Sequence, residues 1–162
     1  MRRLWPRTVV IALSAIVAAL VVSTGWLGFR AWQNDADADD AAAARQTARQ
    51  MGVNLMTLGS ENAQQDIDRI VSGMTGDIKD EFGSQSKSWV QSLKGTKAKS
   101  TVTDVEAGVV SIDDDSAEVM VSLNTTVTNE KVKDGVSYPY RVVMQMTKVD
   151  DRWLVSNVEM VP

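Results

Sequence analysis

AEVMVSLNTTV, residues 117–127, is the clearest structural signal in the chain. Apolar or β-branched side chains alternate with polar ones along it, a period of two that is typical of a strand with one buried face. Turn-forming residues stand on either side, Asp113 to Ser116 before it and Lys133 to Gly135 after it. The stretch therefore predicts a half-buried strand that is joined to its neighbours by tight turns.

Three further strands are predicted around this one. Residues 97–112 are rich in β-branched side chains, and Gly108 within them predicts a bend or a bulge. Residues 138–147 alternate again, and Asp150-Asp151 then leads into a last strand from Trp153 to Val161. Consecutive strands joined by short turns predict a four-stranded antiparallel meander.

The chain before residue 97 has helical rather than strand periodicity. One helix is predicted to begin near Asn34, and its apolar stripe recurs at three- and four-residue intervals from Ala44 to Leu58. A second helix is predicted to begin at Ser60, and a third to extend from Asp77 to Gly95. Helices first and strands afterwards indicate an α+β fold, a cone-shaped domain of about three helices packed on a four-stranded antiparallel sheet.

An uncharged apolar run, Thr8 to Phe29, precedes this domain. As a helix it is about 33 Å long at a rise of about 1.5 Å per residue, enough to cross a hydrocarbon core of about 30 Å. Three arginines precede it and acidic residues follow it, which predicts a single-pass plasma-membrane protein with a cytoplasmic N-terminus and an extracytoplasmic C-terminal domain. The chain is then divided into a cytoplasmic tail (1–7), a transmembrane helix (8–29), a juxtamembrane and helical part (30–95) and a β-sheet part (96–162).

A cleaved signal peptide is the alternative for the same run. The apolar core of a signal peptide is about 7–15 residues long and is followed by an A-x-A cleavage site. The run from Thr8 to Phe29 is longer, has no such site, and is still apolar through Gly25-Trp26-Leu27. We therefore expect a retained anchor.

Ala15, Ala19 and Ser23 follow one another at intervals of four within the predicted membrane helix. Small side chains at this spacing let a second membrane helix approach closely, so these residues are predicted to contact a partner helix. An alanine-rich helix that faces lipid alone has the same composition and is the alternative.

Charge and missing residue types exclude several functions. Four of the 17 basic residues lie within residues 1–30, so 13 of them oppose all 21 acidic residues in the remainder, and a net charge of −8 disfavours nucleic acid as a partner. The chain has no cysteine and no histidine, which excludes disulfides, Ser-His-Asp and Cys-His triads, and zinc sites built on these residues. Asp35, Asp37 and Asp39 lack the other positions of a calcium loop, and no metal or cofactor is predicted.

Tyr138 and Tyr140 are the candidates for chemistry on a fold of this kind. Both fall on the apolar side of their predicted strand, where tyrosines usually belong to the core or its rim. No acid is predicted beside them, and no other acid–base pair can be placed. We therefore expect no enzymatic activity.

Three short runs resemble the Mce-associated membrane proteins of actinobacteria. They are TGDIKDEF at residues 75–82, AGVVS at 107–111 and KVDDRWLVS at 148–156, in the same order and behind a membrane anchor. Ile78, Phe82 and Asp151 depart from the phenylalanine, tyrosine and glycine that are usual in that family. The third run contains the family's terminal hairpin, which is represented here by Arg152, Trp153 and Leu154.

The resemblance implies a nuclear-transport-factor-two-like cone and an accessory role beside Mce-type lipid importers. The partners that it implies are the substrate-binding Mce proteins, the permease and membrane lipid. Two alternatives stay open: a lipid-binding carrier that uses the apolar cone, for which the methionines are suited by their flexibility, and a type IV secretion assembly factor of similar architecture. Core filling by the methionines is the simpler interpretation.

Overall fold

The structure, a computed structural model, describes residues 38–161. The helices are α1 over residues 38–56, α2 over Ala63–Ser72 and α3 over Gly76–Thr96. The strands are β1 over Lys99–Ile112, β2 over Ser116–Thr128, β3 over Val136–Val149 and β4 over Arg152–Met160. The predicted α+β fold of three helices on a four-stranded antiparallel sheet is confirmed.

The predicted transmembrane helix, residues 8–29, lies outside the described residues. Within residues 38–161, no helix combines the length and the apolar character that crossing a membrane requires. The contacts discussed below all lie within the compact unit Asp40–Pro162.

The sheet is a meander in which each strand pairs with the next in the chain, in the order β1-β2-β3-β4. Val121 of β2 stands between Ala107 of β1 and Val142 of β3. Because side chains alternate between the two faces of a strand, these residues share one face with the other buried positions of β2. This face, the inner face, carries the helices.

Two β-bulges bend β1, and neither falls at the predicted position. The pairing with β2 shifts between Val102 and Asp104 and again between Val109 and Ser111, whereas Gly108 is paired regularly with Met120. Each bulge adds one residue to β1, which shifts the alternation of side chains between the two faces by one position. Val102 and Ile112 are therefore half-buried on the same face as the buried Val105, whereas an unbroken alternation would place them on the opposite face. Val110 is exposed.

Helix α1 lies against the inner face at short range. Ala44, Ala48 and Met51 are buried along one side of it. A Cβ atom added at Gly52 would stand 3.0 Å from Val121 Cγ1, so glycine favours this close approach. The C-terminal end of α1 is tied to β1, because the Ser100 side-chain hydroxyl donates to the carbonyl of Met56.

The segment between α1 and α2 is extended rather than helical, so the second helix begins at Ala63 and not at Ser60 as predicted. The N–H of Ser60 donates to the carbonyl of Ala98 at 3.2 Å, and the N–H of Ser100 donates to the carbonyl of Leu58 at 2.8 Å. These bonds to β1 occupy main-chain groups that a helix would need for itself. Helix α2 is then short and ends at Ser72, with Gly73 as its C-cap.

Side chains of α1, α2 and the sheet fill the inner face. The largest fully buried ones include Ile70 and Met74 beside Met144, Met146 and Val155. Met51 joins the same core. Four of the methionines thus serve as core filling.

Candidate partner-binding groove

A groove of about 550 Å³ opens between α1, the end of α2 and the β3–β4 hairpin. We call it the hairpin groove. Its floor is largely apolar and its walls are largely polar. The residues that line it are Ala43, Gln46, Thr47, Gln50, Met51, Asn54, Arg69, Ser72, Gly73, Asp151, Arg152, Trp153 and Leu154.

The β3–β4 hairpin forms one wall of the groove, and its tight turn determines the position of that wall. Asp150 and Asp151 form this two-residue turn, with φ values of 49° and 59°. Left-handed values at both positions match the right-handed twist of the two strands. The turn brings the three predicted hairpin residues, Arg152, Trp153 and Leu154, to the same groove.

Trp153 is 4% exposed, which agrees with the burial that its place in the last strand predicts. Its indole Nε1 is buried and has no hydrogen-bond partner within residues 38–161. Lys148, which is paired with it across the hairpin, places its ammonium group 5.8 Å from the centre of the indole ring. Cation–π attraction at this distance supports the burial of the ring.

Lys148 also joins the hairpin to α1. Its Nζ lies 2.8 Å from both carboxylate oxygens of Asp40. The hydrogen bond that Lys148 donates to Asp40 raises the pKa of Lys148 above its ordinary value, against a smaller opposing effect of desolvation. This ion pair joins the N-terminal end of α1 to the β3–β4 hairpin.

The opposite wall is a row of amide side chains on α1. Gln46, Gln50 and Asn54 recur at intervals of four and therefore lie on one side of the helix. Gln50 Nε2 donates to Asn54 Oδ1 at 3.1 Å. In the sequence such residues look like an ordinary solvated face, and nothing in their spacing distinguishes them from one.

The end of the groove is formed by Arg69 on α2. Its Nη2 lies 3.0 Å from Oδ1 of Asp66, a carboxylate that is 7% exposed. The second oxygen of Asp66 accepts the N–H of Gly59 at 3.0 Å. A buried carboxylate requires such partners, and Asp66 in turn holds the guanidinium group of Arg69 in place.

A second, apolar cleft of about 420 Å³ lies among the three helices. Phe82 and Trp89 of α3 meet there edge to face, with ring centroids 4.5 Å apart. Both rings are half-buried, and Leu55, Ile67 and Leu93 complete the apolar lining. We call it the helical cleft.

The remaining predicted residues are separate from these two sites. Tyr138 is 44% exposed and Tyr140 is half-buried, so both lie towards the rim of the inner face. Within residues 38–161, no three acidic side chains come together as a metal-binding group. Ala15, Ala19 and Ser23 lie outside the described residues.

Comparison with solved structures defines the class of fold. Residues of the chain superpose on an "Ntf2 like protein involved in plasmid conjugation" with a TM-score of 0.52 and 14% identity, covering 74% of this chain and 48% of that one. An IcmL-like type IV secretion system protein from Legionella pneumophila superposes with a TM-score of 0.57 and 12% identity, covering 75% of this chain and 91% of that one. The domain therefore has an NTF2-like α+β fold.

Residues 7–162 match the family described as "Uncharacterized protein Rv1363c/MT1408-like", and the chain belongs to this family. Rv1363c of Mycobacterium tuberculosis is 27% identical over 160 residues. The match covers 97% of this chain and 61% of that relative, so the chain spans less than two thirds of its length.

Proposed function

We propose that the protein is a non-catalytic, membrane-anchored accessory subunit of an Mce-type lipid import complex. It stabilises that complex through contacts of its predicted membrane helix and of its extracytoplasmic domain. The substrate-binding Mce proteins and the permease are the partners, and the membrane supplies the lipid environment of the anchor.

The hairpin groove is the observation that carries this proposal. The inner face beneath α1 is closely packed, with Gly52 against Val121 and Leu123. Accessible binding surface is instead found outside that core, in a groove with a polar rim and an apolar floor. This distribution is typical of protein interfaces. A domain built in this way is suited to binding other proteins.

The sequence supports the same proposal at the membrane. The apolar run from Thr8 to Phe29 is long enough to anchor the chain, and Ala15, Ala19 and Ser23 offer a small-residue contact for another helix. The resemblance of the runs at 75–82, 107–111 and 148–156 to Mce-associated proteins is what indicates the lipid import complex.

Two alternatives each have an observation in their favour. The fold is shared with proteins of conjugation and type IV secretion, which favours an assembly factor of such a system. The helical cleft is lined by Leu55, Phe82, Trp89 and their apolar neighbours, which favours a lipid carrier. The accessory subunit remains our proposal because the runs at 75–82, 107–111 and 148–156 resemble Mce-associated proteins.

The test is recovery of the complex from membranes of the native host with a tag on the full chain. Wild-type protein should recover Mce proteins and permease. Replacing Ala15, Ala19 and Ser23 together by leucine should reduce that recovery, because leucine blocks close helix approach. Gln50→Trp, which fills the hairpin groove, should reduce it as well. Glu106→Trp, at an exposed position on the other face of the sheet, is the matched control.

Other results would favour the alternatives. Recovery of conjugation ATPases instead of permease would indicate a secretion assembly factor. Stoichiometric lipid bound to the purified full chain in native mass spectrometry, together with unchanged recovery for the triple-leucine variant, would indicate a carrier. Equal recovery for wild type, the triple-leucine variant and Gln50→Trp would contradict the accessory role.

A further inference from the structure

Strand β4 is the edge of the sheet, and part of its edge is already covered by the chain itself. The N–H of Val155 donates to the carbonyl of Gly73 at 3.0 Å, and the N–H of Thr75 donates to the carbonyl of Val155 at 2.9 Å. The segment Gly73 to Thr75 thus acts as a very short added strand, and its central residue, Met74, is bridged to Val155 in parallel. The part of β4 before Val155, from Arg152 to Leu154, lines the hairpin groove.

The geometry of the hairpin shows which main-chain groups reach that edge. In a two-residue hairpin the flanking pair, here Val149 and Arg152, shares both of its hydrogen bonds. The next pair, Lys148 and Trp153, must then point its N–H and C=O groups away from each other. The N–H of Lys148 does so, since it donates to the carbonyl of Asp115 at 2.8 Å.

Trp153 is therefore an edge residue without such a connection, and it lines the hairpin groove. Its N–H and C=O point to the free side of β4, and within residues 38–161 no main-chain hydrogen bond joins them to another segment. Two positions along the same strand, Val155 uses the equivalent groups for Gly73 and Thr75. An unpaired edge of this kind is a template for another strand.

We propose that the hairpin groove binds an extended polypeptide segment of a partner protein, which pairs with Trp153 as an added strand of the sheet. The groups of Trp153 provide one donor and one acceptor. About three residues of a partner, or ~10 Å at 3.3 Å per residue, are enough to use both. Which protein supplies the segment rests on the proposed function; the pairing itself rests on the hairpin.

The walls of the groove favour a peptide over a lipid. Gln46, Gln50 and Asn54 present amide donors and acceptors along the side opposite β4. An extended backbone has free N–H and C=O groups on both of its edges, so it can be bonded by β4 on one side and by these amides on the other. An acyl chain would offer no hydrogen bond to the main-chain groups of Trp153 or to the free donors and acceptors of these amides.

The floor and the end of the groove add side-chain selectivity. Met51 and Leu154 offer an apolar contact for a side chain of the segment that points inward. Arg69 and Arg152 stand near it with their guanidinium groups, which suit carbonyl or carboxylate oxygens. Apolar and polar side chains in alternation, the pattern of a strand, therefore match the groove.

The absence of cysteine from the sequence makes a tethering experiment possible. Gln46→Cys, in the full chain purified in detergent, carries a synthetic pentapeptide of alternating threonine and valine on a short glycine linker through a disulfide. Tethering supplies an effective concentration of about 1 mM or more without knowledge of the natural partner. Amide hydrogen exchange is then measured by NMR at Trp153 and at Val155.

Without peptide, the Trp153 amide should exchange faster than the Val155 amide, because only the latter is bonded to Gly73. With the peptide, exchange at Trp153 should slow by about tenfold or more, as expected for a newly formed hydrogen bond. The same peptide with every amide nitrogen methylated should give no slowing. The unmethylated peptide should also give no slowing at Trp153 when it is tethered at Glu106→Cys on the opposite face of the sheet.

Unchanged exchange at Trp153 with the peptide at position 46 would overturn the proposal. Equal slowing by the methylated peptide would also overturn it, because the peptide would then cover the Trp153 amide without forming a hydrogen bond to it. Slowing without peptide that follows protein concentration would identify a second copy of this chain as the occupant and would also overturn it. Failure of the proposed function is distinguishable, because it appears as unchanged complex recovery for Gln50→Trp while Trp153 is still protected by the peptide.

Discussion

Helices α1 and α3 cover the same sheet in different ways. Helix α1 buries Ala44, Ala48 and Met51 and approaches so closely that a Cβ atom at Gly52 would stand 3.0 Å from Val121 Cγ1. Helix α3 is 21 residues long, yet among its residues Val90 alone is buried. Small side chains let α1 lie directly on the sheet, whereas Phe82 and Trp89 of α3 line the helical cleft. The α1 side therefore supplies more of the stability.

The largest effect is expected on the α1 side, at Trp153. Trp153→Ala should lower the free energy of unfolding by about 3–5 kcal/mol, the range for truncation of a core aromatic. Urea unfolding of the full chain, monitored by circular dichroism, measures it. Trp153→Phe is the matched control and should cost clearly less, because the indole nitrogen has no partner within residues 38–161. A loss below about 1 kcal/mol for the alanine variant would contradict the burial of this ring.

The corresponding change on the α3 side should cost less. Trp89 is half-buried and contacts Phe82, so Trp89→Ala should lower the free energy of unfolding by about 1–2 kcal/mol, part of the value for a fully buried side chain. The same urea titration compares the two variants directly. If Trp89→Ala is as destabilising as Trp153→Ala, the contrast between the two sides is wrong.

Smaller effects are expected from two residues with left-handed backbone, one on each side. Lys97, at the end of α3, has φ of 49°, and Asp151, in the hairpin, has φ of 59°. Glycine removes the steric cost of this conformation, about 1–2 kcal/mol, but makes the unfolded chain more flexible, which costs about 0.5–1 kcal/mol. Lys97→Gly should therefore raise the free energy of unfolding by about 0.5–1 kcal/mol. Asp151→Gly should gain less, since aspartate tolerates this conformation better. Thermal unfolding measures the change in stability of both variants relative to wild type. Destabilisation by either substitution would contradict this prediction.

The smallest effect is the pH dependence of the Asp40–Lys148 pair on the α1 side. The pKa of Lys148 is raised in the folded protein by its hydrogen bond to Asp40. The pair therefore contributes fully below the unfolded pKa of lysine, about 10.4, and the contribution is lost as the pH rises through the higher folded value. The stability difference between wild type and Lys148→Met should be constant from about pH 6 to 9 and shrink above about pH 10.5. A difference that persists unchanged to higher pH would exclude the ion pair as its source.

Regular periodicity made the fold predictable. The alternation in residues 117–127 and the turn residues around it predict the meander, and the stripe from Ala44 to Leu58 predicts the packed side of α1. The bulges of β1 were not predictable, because they result from the fit to β2 and not from Gly108. They decide which face Val102 and Ile112 occupy.

The hairpin groove could be predicted in one part only. Arg152, Trp153 and Leu154 stand out as a hairpin in the sequence, but the amides of Gln46, Gln50 and Asn54 look like a solvated helix face. The two walls are about a hundred residues apart in the chain, and only the folded structure brings them together. Asp66 does not stand out in the sequence either, because only the folded structure shows its contacts with Gly59 and Arg69.

The contact between Asp40 and Lys148 also has a consequence for the order of events during synthesis. The two residues are 108 positions apart. A ribosome adds about 5–20 residues per second, so α1 waits about 5–20 s before the last two strands exist to receive it. During that interval the first part of its future core face, before Met51, carries Ala44 and Ala48, which present little apolar surface to aggregation or to a chaperone. The same alanines that later permit close packing thus protect the growing chain while its sheet is still incomplete.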